Sequence, residues 1–481
     1  MSRSLQQNAV VEQPTITPVV AELAARFTAG GKRLYLVGGS VRDAVLERPT
    51  NDFDFTTDAR PAEIQRLLSG WADAQWDTGI AFGTVGASKK GEIIEITTFR
   101  ADVYDGVTRN PEVTFGDSID GDLLRRDFTV NAMAFDIAAR EFVDPTGGLQ
   151  AARDGVLDTP ATPQESFGDD PLRMLRAARF VSQLGFTAAP RVVEAMRSMA
   201  GQLTRITPER VQVELSKLLC GAYPRRGIEL MVETGLADVV LPELTAMKLE
   251  IDEHHQHKDV FDHSLVVLEQ AIDLEDDDQS PDLVLRIAAL LHDIGKPPTR
   301  RFEPGGGVSF HHHEVVGAKM VRKRLRALRY SKEITEDVAK LVYLHLRFHG
   351  YGNGEWTDSA VRRYVTDAGD LLTRLHKLVR ADCTTRNKRK ANLLRRTYDS
   401  LEERIAHIAA EEDLARVRPD LDGNEIMKLL GLPPGREVGA AWKYLKELRL
   451  DRGPLDRDEA EAALLDWARE QGITPPTRNS S

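Results

Sequence analysis

This 481-residue sequence predicts an α/β head followed by an all-helical remainder. Three observations lead there. Strand-like runs, a glycine turn and short helical stretches alternate only as far as about residue 155. A proline- and glycine-rich passage, LDTPATPQESFGDDP, then interrupts the chain. Beyond it the apolar residues recur at helical spacing.

Residues 1–15 read as a disordered leader and 16–155 as the head. An amphipathic helix is expected after Pro18, with Val20, Leu23, Ala24 and Phe27 on its apolar face. RLYLVGG reads as a strand entering a glycine turn, SVRDAVL as the helix that follows, and DFDFTT as a second strand. The alternation in GEIIEITTFR supports another. A helical neck is assigned to 156–245, where PLRMLRAARFVSQLGF and TPERVQVELSKLLCG are strongly helical and Pro208 suits a first helical position. A second helical unit covers 246–385, and 386–481 forms further helices joined by a glycine-proline turn.

No apolar run approaches membrane-spanning length, and the first residues do not resemble a secretory signal, so no membrane partner is expected. Cys220 and Cys383 are the only cysteines, which argues against a disulfide scaffold and favours a reducing cytoplasm. The net charge of −11 includes an acidic run from Glu275 to Asp278. A basic groove can coexist with such a surface. Basic runs occur at 319–332 and 386–396, and each reads either as a solvated helix face or as an RNA contact. Lys388, Arg389, Lys390, Arg395 and Arg396 are the candidates for that contact. Oligomeric state is not encoded legibly.

The chemistry concentrates in LVGGSVRD, eight further residues and DFDF. Gly38, Gly39 and Ser40 form a small-residue turn whose amides and hydroxyl suit phosphate, and Arg42 and Asp43 follow. Asp52 and Asp54, two apart on a strand, share a face and can hold divalent metal. Glu95 is a candidate third carboxylate, or an orienting partner for Arg100. In RRDFTVNAMA, Arg126 suits phosphate or ribose, with Asp127 and Asn131 fixing the geometry; an internal ion pair of Arg126 and Asp127 is the alternative. Two magnesium ions held by Asp52 and Asp54 would serve an in-line nucleotidyl transfer.

GGSVRD, DFDF, ITTFR, RRDFTVNAMA, DPTGGL, DDPLRMLRAARF and TPERVQVEL together resemble the bacterial class II tRNA nucleotidyltransferases, or CCA-adding enzymes, and the related poly(A) polymerases. The resemblance spans about 34–219 and implies an α/β nucleotidyltransferase head followed by an all-helical neck, an HD domain and a helical C-terminal region. It implies tRNA as partner, ATP and CTP as substrates, and magnesium at the polymerising site. The family's acidic-acidic-x-x-Arg template falls on Asp169, Asp170 and Arg173, with Asp169 replacing the usual glutamate by a shorter side chain. Arg176 is placed for phosphate or tRNA, Arg179 for tying neck to head, and Glu209 and Arg210 for capping and bracing. Asp102 to Asp122 corresponds to the loop that switches base selection in the family.

Downstream, FDHSL, LLHDIGKP, HHHEVVGAK, LVYLHLRFHG and VRADCTTRN resemble the HD phosphohydrolase superfamily. His263, His292, Asp293 and Asp382 match its metal pattern, and His313 and His345 would complete an enlarged or two-metal site. Nitrogen and oxygen ligands suit manganese, iron, nickel or magnesium. Lys296 is placed to assist phosphate, while His254, His255, His257, His311 and His312 read as loop residues. The expected function is template-independent CMP and AMP addition to tRNA, with HD phosphohydrolysis as an addition. The alternatives are poly(A) or partial CC- or A-addition, a principal metal phosphohydrolase, an inert HD scaffold, and a non-catalytic RNA-binding protein.

Overall fold

The computed structural model describes residues 13–49, 53–100, 115–248, 259–276, 281–304, 307–347, 356–383, 388–412 and 417–475, leaving aside the side chains of 388–395 and 411. The chain divides into two compact units, Met1–Thr245 and Ala246–Ser481.

The first unit is organised by a seven-stranded sheet. Its strands are β1 (Leu34–Val37), β2 (Phe53–Thr57), β3 (Ala74–Trp76), β4 (Thr84–Lys89), β5 (Glu92–Thr98), β6 (Ala134–Asp136) and β7 (Glu141–Val143), in the order β3-β4-β5-β2-β1-β6-β7. Only β2 and β5 pair in parallel. Alternation along the strands decides which face is covered. Leu34, Leu36, Phe53, Phe55, Ile94 and Ile96 join Val20, Leu23, Phe27, Ile64 and Leu68 in one core. The last five come from the helices Pro18–Ala29 and Pro61–Leu68. The intervening residues point to the other face. There Val37 is opposite Asp54, and Asp54 is opposite Glu95.

The helix Pro18–Ala29 begins as its sequence requires, with the Thr17 side chain accepting from the Val20 amide and Pro18 at the first position. Gln13 and Pro14, expected within a disordered leader, are placed. Gln13 donates to the Arg140 carbonyl and accepts from its guanidinium, while Pro14 is buried. Three of the strands have only three residues, too short to display a period. The neck is not wholly helical, because Val156–Leu157 and Thr187–Ala188 form a two-residue parallel pair. Otherwise it consists of helices such as Pro163–Asp169, Leu172–Leu184 and Pro208–Leu219.

The second unit is helical apart from a hairpin, Arg301–Phe302 against Val308–Ser309. Its last part has its own core, in which Ile426, Leu430, Leu445 and Leu464 meet. They come from the helices Gly423–Leu430, Arg436–Arg452 and Arg457–Glu470. No helix among the described residues is long and apolar enough to cross a membrane.

Phe27 is fully buried on the covered face of the sheet. Its replacement by alanine should destabilise the first unit by about 3–5 kcal/mol, the usual result of opening a large cavity. Urea unfolding followed by circular dichroism will measure this.

Candidate functional site

Gly38 ends β1 with φ 69°, a conformation that penalises side chains, and starts the helix Gly39–Val45. A Cβ here would lie 3.4 Å from Arg126 Nη1 and 3.8 Å from Asp54 Oδ2. The glycine turn, Asp54 and Arg126 therefore converge on the second face of the sheet, beside a small core of Tyr35, Val37, Phe99 and Leu123. Glu95 is the register partner of Asp54 and is exposed beside it. Asp52 lies outside the described residues, as do 102–114 of the expected switching loop. Ser40 is buried, and its hydroxyl donates to the Val37 carbonyl at 3.0 Å, bracing the turn.

Arg126 is held by Asp122, a residue the sequence reading did not single out. Buried Asp122 accepts from Arg126 and Arg125, each at 3.2 Å, and from the Arg100 amide at 3.1 Å. Burial alone would raise its pKa, but the two guanidinium groups bring it below the ordinary value. The signal was present as an acid three and four residues before two arginines, at helical spacing.

Asp127 pairs elsewhere. One oxygen accepts from Asn131 Nδ2 at 3.0 Å and from the Phe128 amide. The other accepts from Arg176 Nε and Nη2 at 2.8 and 2.6 Å. Asn131 Oδ1 in turn accepts from Arg42, which also pairs with its neighbour Asp43. On the neck side Arg176 lies 3.7 Å from Glu214, and Arg179 lies 2.7 Å from the same carboxylate. Arg176, expected at phosphate or tRNA, thus ties the neck to the head, the role expected of Arg179. Arg179 instead stays within the neck, its guanidinium 4.1 Å from the Phe180 ring. Arg42 and Arg176 face the same ring at 5.3 and 5.6 Å. Burial lowers the Arg179 pKa to about 10 despite Glu214.

Asp169, Asp170 and Arg173 gather where two neck helices meet. Asp170 closes the helix Pro163–Asp169, accepting from the Leu172 amide and, at 2.7 Å, from Arg210. Arg173 is buried and donates to Ser166 Oγ and to the Arg125 carbonyl, each at 2.9 Å. Asp169 is exposed beside them. Glu209 sits in the first turn of Pro208–Leu219, where its charge favours the helix dipole.

In the second unit six residues converge from helix ends. His263 lies in Val260–Ile272, His292 closes Leu283–Leu291, and Asp293 follows it. His313 opens His313–Ala327, His345 closes Lys332–Leu344, and Asp382 ends Leu372–Asp382. They form two groups with metal-ligating geometry, His263–His292–Asp382 and Asp293–His313–His345. Asp293 adjoins both, with Oδ2 3.2 Å from His292 Nε2 and Oδ1 3.2 Å from His313 Nε2. Each of His292, His313 and His345 donates Nδ1–H to the carbonyl three residues earlier, at 2.8, 2.8 and 2.6 Å. That assignment leaves Nε2 with a lone pair, and all three Nε2 atoms are buried without a hydrogen-bond partner. Buried lone pairs beside carboxylates fit a divalent cation.

Burial would lower His292, yet Asp293 and Asp382 push it up to about 10, so a proton and a cation compete for the same Nε2; burial takes His345 down to about 4. Lys296 Nζ reaches Asp293 Oδ2 at 2.5 Å. His311 and His312 are exposed, whereas His254, His255 and His257 lie outside the described residues. So do the side chains of Lys388, Arg389, Lys390 and Arg395; Arg396 is exposed on the helix Lys388–Glu411.

Asp127 supplies a test of the first site. Burial would raise its pKa, but Arg176 and Asn131 bring it down to about 2, against about 3.9 in an unfolded chain. Its contribution of about 2–3 kcal/mol is therefore complete above the unfolded value and is lost as pH falls through about 2. Asp127→Asn should be the less stable protein at neutral pH. That deficit should shrink between about pH 4 and pH 2, as urea midpoints will record. Gly295 tests the second site, since a Cβ there would meet the His313 carbonyl oxygen at 2.1 Å. Gly295→Ala should displace His313 and lower retained metal by about tenfold or more, measured by plasma mass spectrometry after dialysis.

The chain matches three families: the Poly A polymerase head domain over residues 34–158, the probable RNA and SrmB-binding site of polymerase A over 185–248, and the HD domain over 260–412. An A-adding tRNA nucleotidyltransferase from Deinococcus radiodurans is 35% identical over 444 residues, covering 90% of this chain and 95% of that protein. The CCA-adding enzyme of Anoxybacillus flavithermus is 41% identical over 222 residues, 46% of this chain. This chain spans only 54% of that relative's length. In fold, the chain is similar to the Bacillus stearothermophilus CCA-adding enzyme in complex with CTP. The TM-score is 0.66 at 24% identity, covering 95% and 99% of the two chains. It belongs to the class II nucleotidyltransferase superfamily of bacterial CCA-adding enzymes and carries a C-terminal HD domain.

Proposed function

We propose that this chain transfers CMP and AMP from CTP and ATP to the 3′ end of tRNA, building or repairing CCA. The observation that carries this reading is the convergence of Asp54, its register partner Glu95 and Arg126 on the Gly38 turn. Hard carboxylate oxygens suit magnesium, with Asp52, Asp54 and Glu95 as its holders. Magnesium held by these residues would supply positive charge against the triphosphate and a lower pKa for the acceptor 3′-hydroxyl. The turn amides at Gly38 and Gly39 orient the phosphates, and Arg126, fixed by Asp122, offsets the charge of the departing pyrophosphate. Asp169, Asp170 and Arg173 offer acceptors and donors to the edge of cytosine or adenine. The basic residues of 386–396, including the exposed Arg396, are assigned to RNA backbone.

A second reading, addition of the terminal A alone, is favoured by the near-full-length similarity to the A-adding enzyme. The HD centre is assigned phosphoester hydrolysis, with manganese, iron, nickel or magnesium as the metal. A bound cation there supplies an acidified water, while Lys296 holds positive charge beside Asp293. We further assign the head to 16–155, the neck to 156–245, the HD domain to 246–385 and the tail to 386–481. A cytoplasmic location is supported by the two free thiols, Cys220 and Cys383.

Purified chain is to be incubated with magnesium and tRNAs lacking CCA, ending in CC, or complete, with CTP and ATP separately and together. Ordered completion that stops at CCA is expected, and Asp54→Ala should reduce it by about 10³-fold or more. Addition of A solely to the CC end would assign the A-adding reading. Unrestricted adenylation would assign poly(A) synthesis, and no transfer to any tRNA would sink the proposal.

A further inference from the structure

Phe302 is the most exposed large apolar side chain among the described residues, at 69%. It sits on the hairpin that pairs Arg301–Phe302 with Val308–Ser309. This hairpin is bracketed by the HD centre. Lys296, which contacts Asp293, lies six residues before Phe302, and Phe310 lies just past the returning strand. The Phe310 carbonyl orients His313, and its ring lies 5.8 Å from Lys296 Nζ. Phe302 is the register partner of Val308, two residues before Phe310. Strand spacings therefore put the Phe302 ring on the order of 10 Å from the Lys296 amine.

The flanking charge is equally specific. Arg300 and Arg301 are exposed, and neither has a carboxylate partner among the described residues. The Arg300 guanidinium lies 5.0 Å from the Phe302 ring centre. Glu303, the nearest acid along the chain, is engaged across the hairpin by the Ser309 hydroxyl. An open aromatic face with unneutralised guanidinium groups beside it matches a stacked base and its phosphate.

We propose that Phe302 is a nucleobase platform for the HD centre, which makes the substrate class a nucleoside phosphate, either free or at an RNA 3′ end. Arg300 and Arg301 attract the phosphate, Phe302 stacks the base, and Lys296 receives the phosphate beside Asp293. The proposal rests on the hydrolytic reading of this centre, and the experiment separates the two.

The full chain, loaded with manganese, is assayed on 3′-AMP, on a short oligoribonucleotide ending in a 3′-phosphate, and on base-free ribose 5-phosphate. Phe302→Ala should raise KM for at least one of the two base-containing substrates by about tenfold or more, the effect of losing one base–aromatic stack. It should leave ribose 5-phosphate unchanged, and Phe302→Trp should restore the wild-type value. The arm that responds identifies the free nucleotide or the RNA end as the source. Independently of hydrolysis, the Phe302→Trp emission, with wild-type emission subtracted, should be quenched by one of the base-containing ligands and not by ribose 5-phosphate. Unaltered KM in Phe302→Ala, or no quenching, overturns the platform while leaving hydrolysis standing. Quenching without any hydrolysis sinks the hydrolytic reading and leaves the platform as a binding surface.

Discussion

The buried ion pair of Asp127 and Arg176 is the constraint on which the catalytic half depends. Taking two charges out of water is costly, and the cost is offset here because every oxygen of Asp127 is engaged. The pair joins the motif after the sheet's second face to the first long neck helix. Through Asn131 it also positions Arg42, and through Glu214 it reaches a second neck helix. Removing the Asp127 carboxylate would leave Arg176 charged and half-buried, so the head and the helix Leu172–Leu184 hold their relative geometry through one polar chain.

The HD centre solves a different problem by local means. Five of its six donors sit at or next to a helix end, and His292 and His345 each follow a last turn that still has carbonyl groups to offer. Three histidines use carbonyls three residues back, so backbone geometry alone sets their tautomer. Gly295 then allows the chain after Asp293 to press against His313, a contact that no side chain permits.

The legible parts of the sequence were those with a short period or a chemical signature. The apolar stripe of Val20, Leu23, Ala24 and Phe27 and the alternation around Glu95 each mapped onto a single element, and the His-Asp pair at His292 onto the turn that closes one helix. What escaped was long-range. Three-residue strands carry no measurable period, so β3, β6 and β7 exist through pairing alone. The roles of Arg176 and Arg179 could not be separated from their spacing, because their division is decided by Asp127, forty-nine residues away, and by Glu214. Asp122 and Glu214 are ordinary acids in sequence and become structural only once burial has removed water from them.

The parallel pairing of β2 with β5, and the antiparallel pairing of β1 with β6 across nearly a hundred residues, have a consequence for the order in which the protein comes into being. The phosphate turn leaves the ribosome early, but Glu214, which closes the polar chain around it, is made much later. At ordinary synthesis rates that interval is about 10–35 s. During it the second face carries carboxylates and guanidinium groups that have not met, so water rather than protein must satisfy them. The core that holds Phe27 and Phe55 includes Phe135, and the opposite face packs Tyr35 and Val37 against Phe99, Leu123 and Ala134, so both faces close once β6 is made and before Glu214 joins. Synthesis from the N-terminus thus completes the sheet first and the polar chain through Glu214 last.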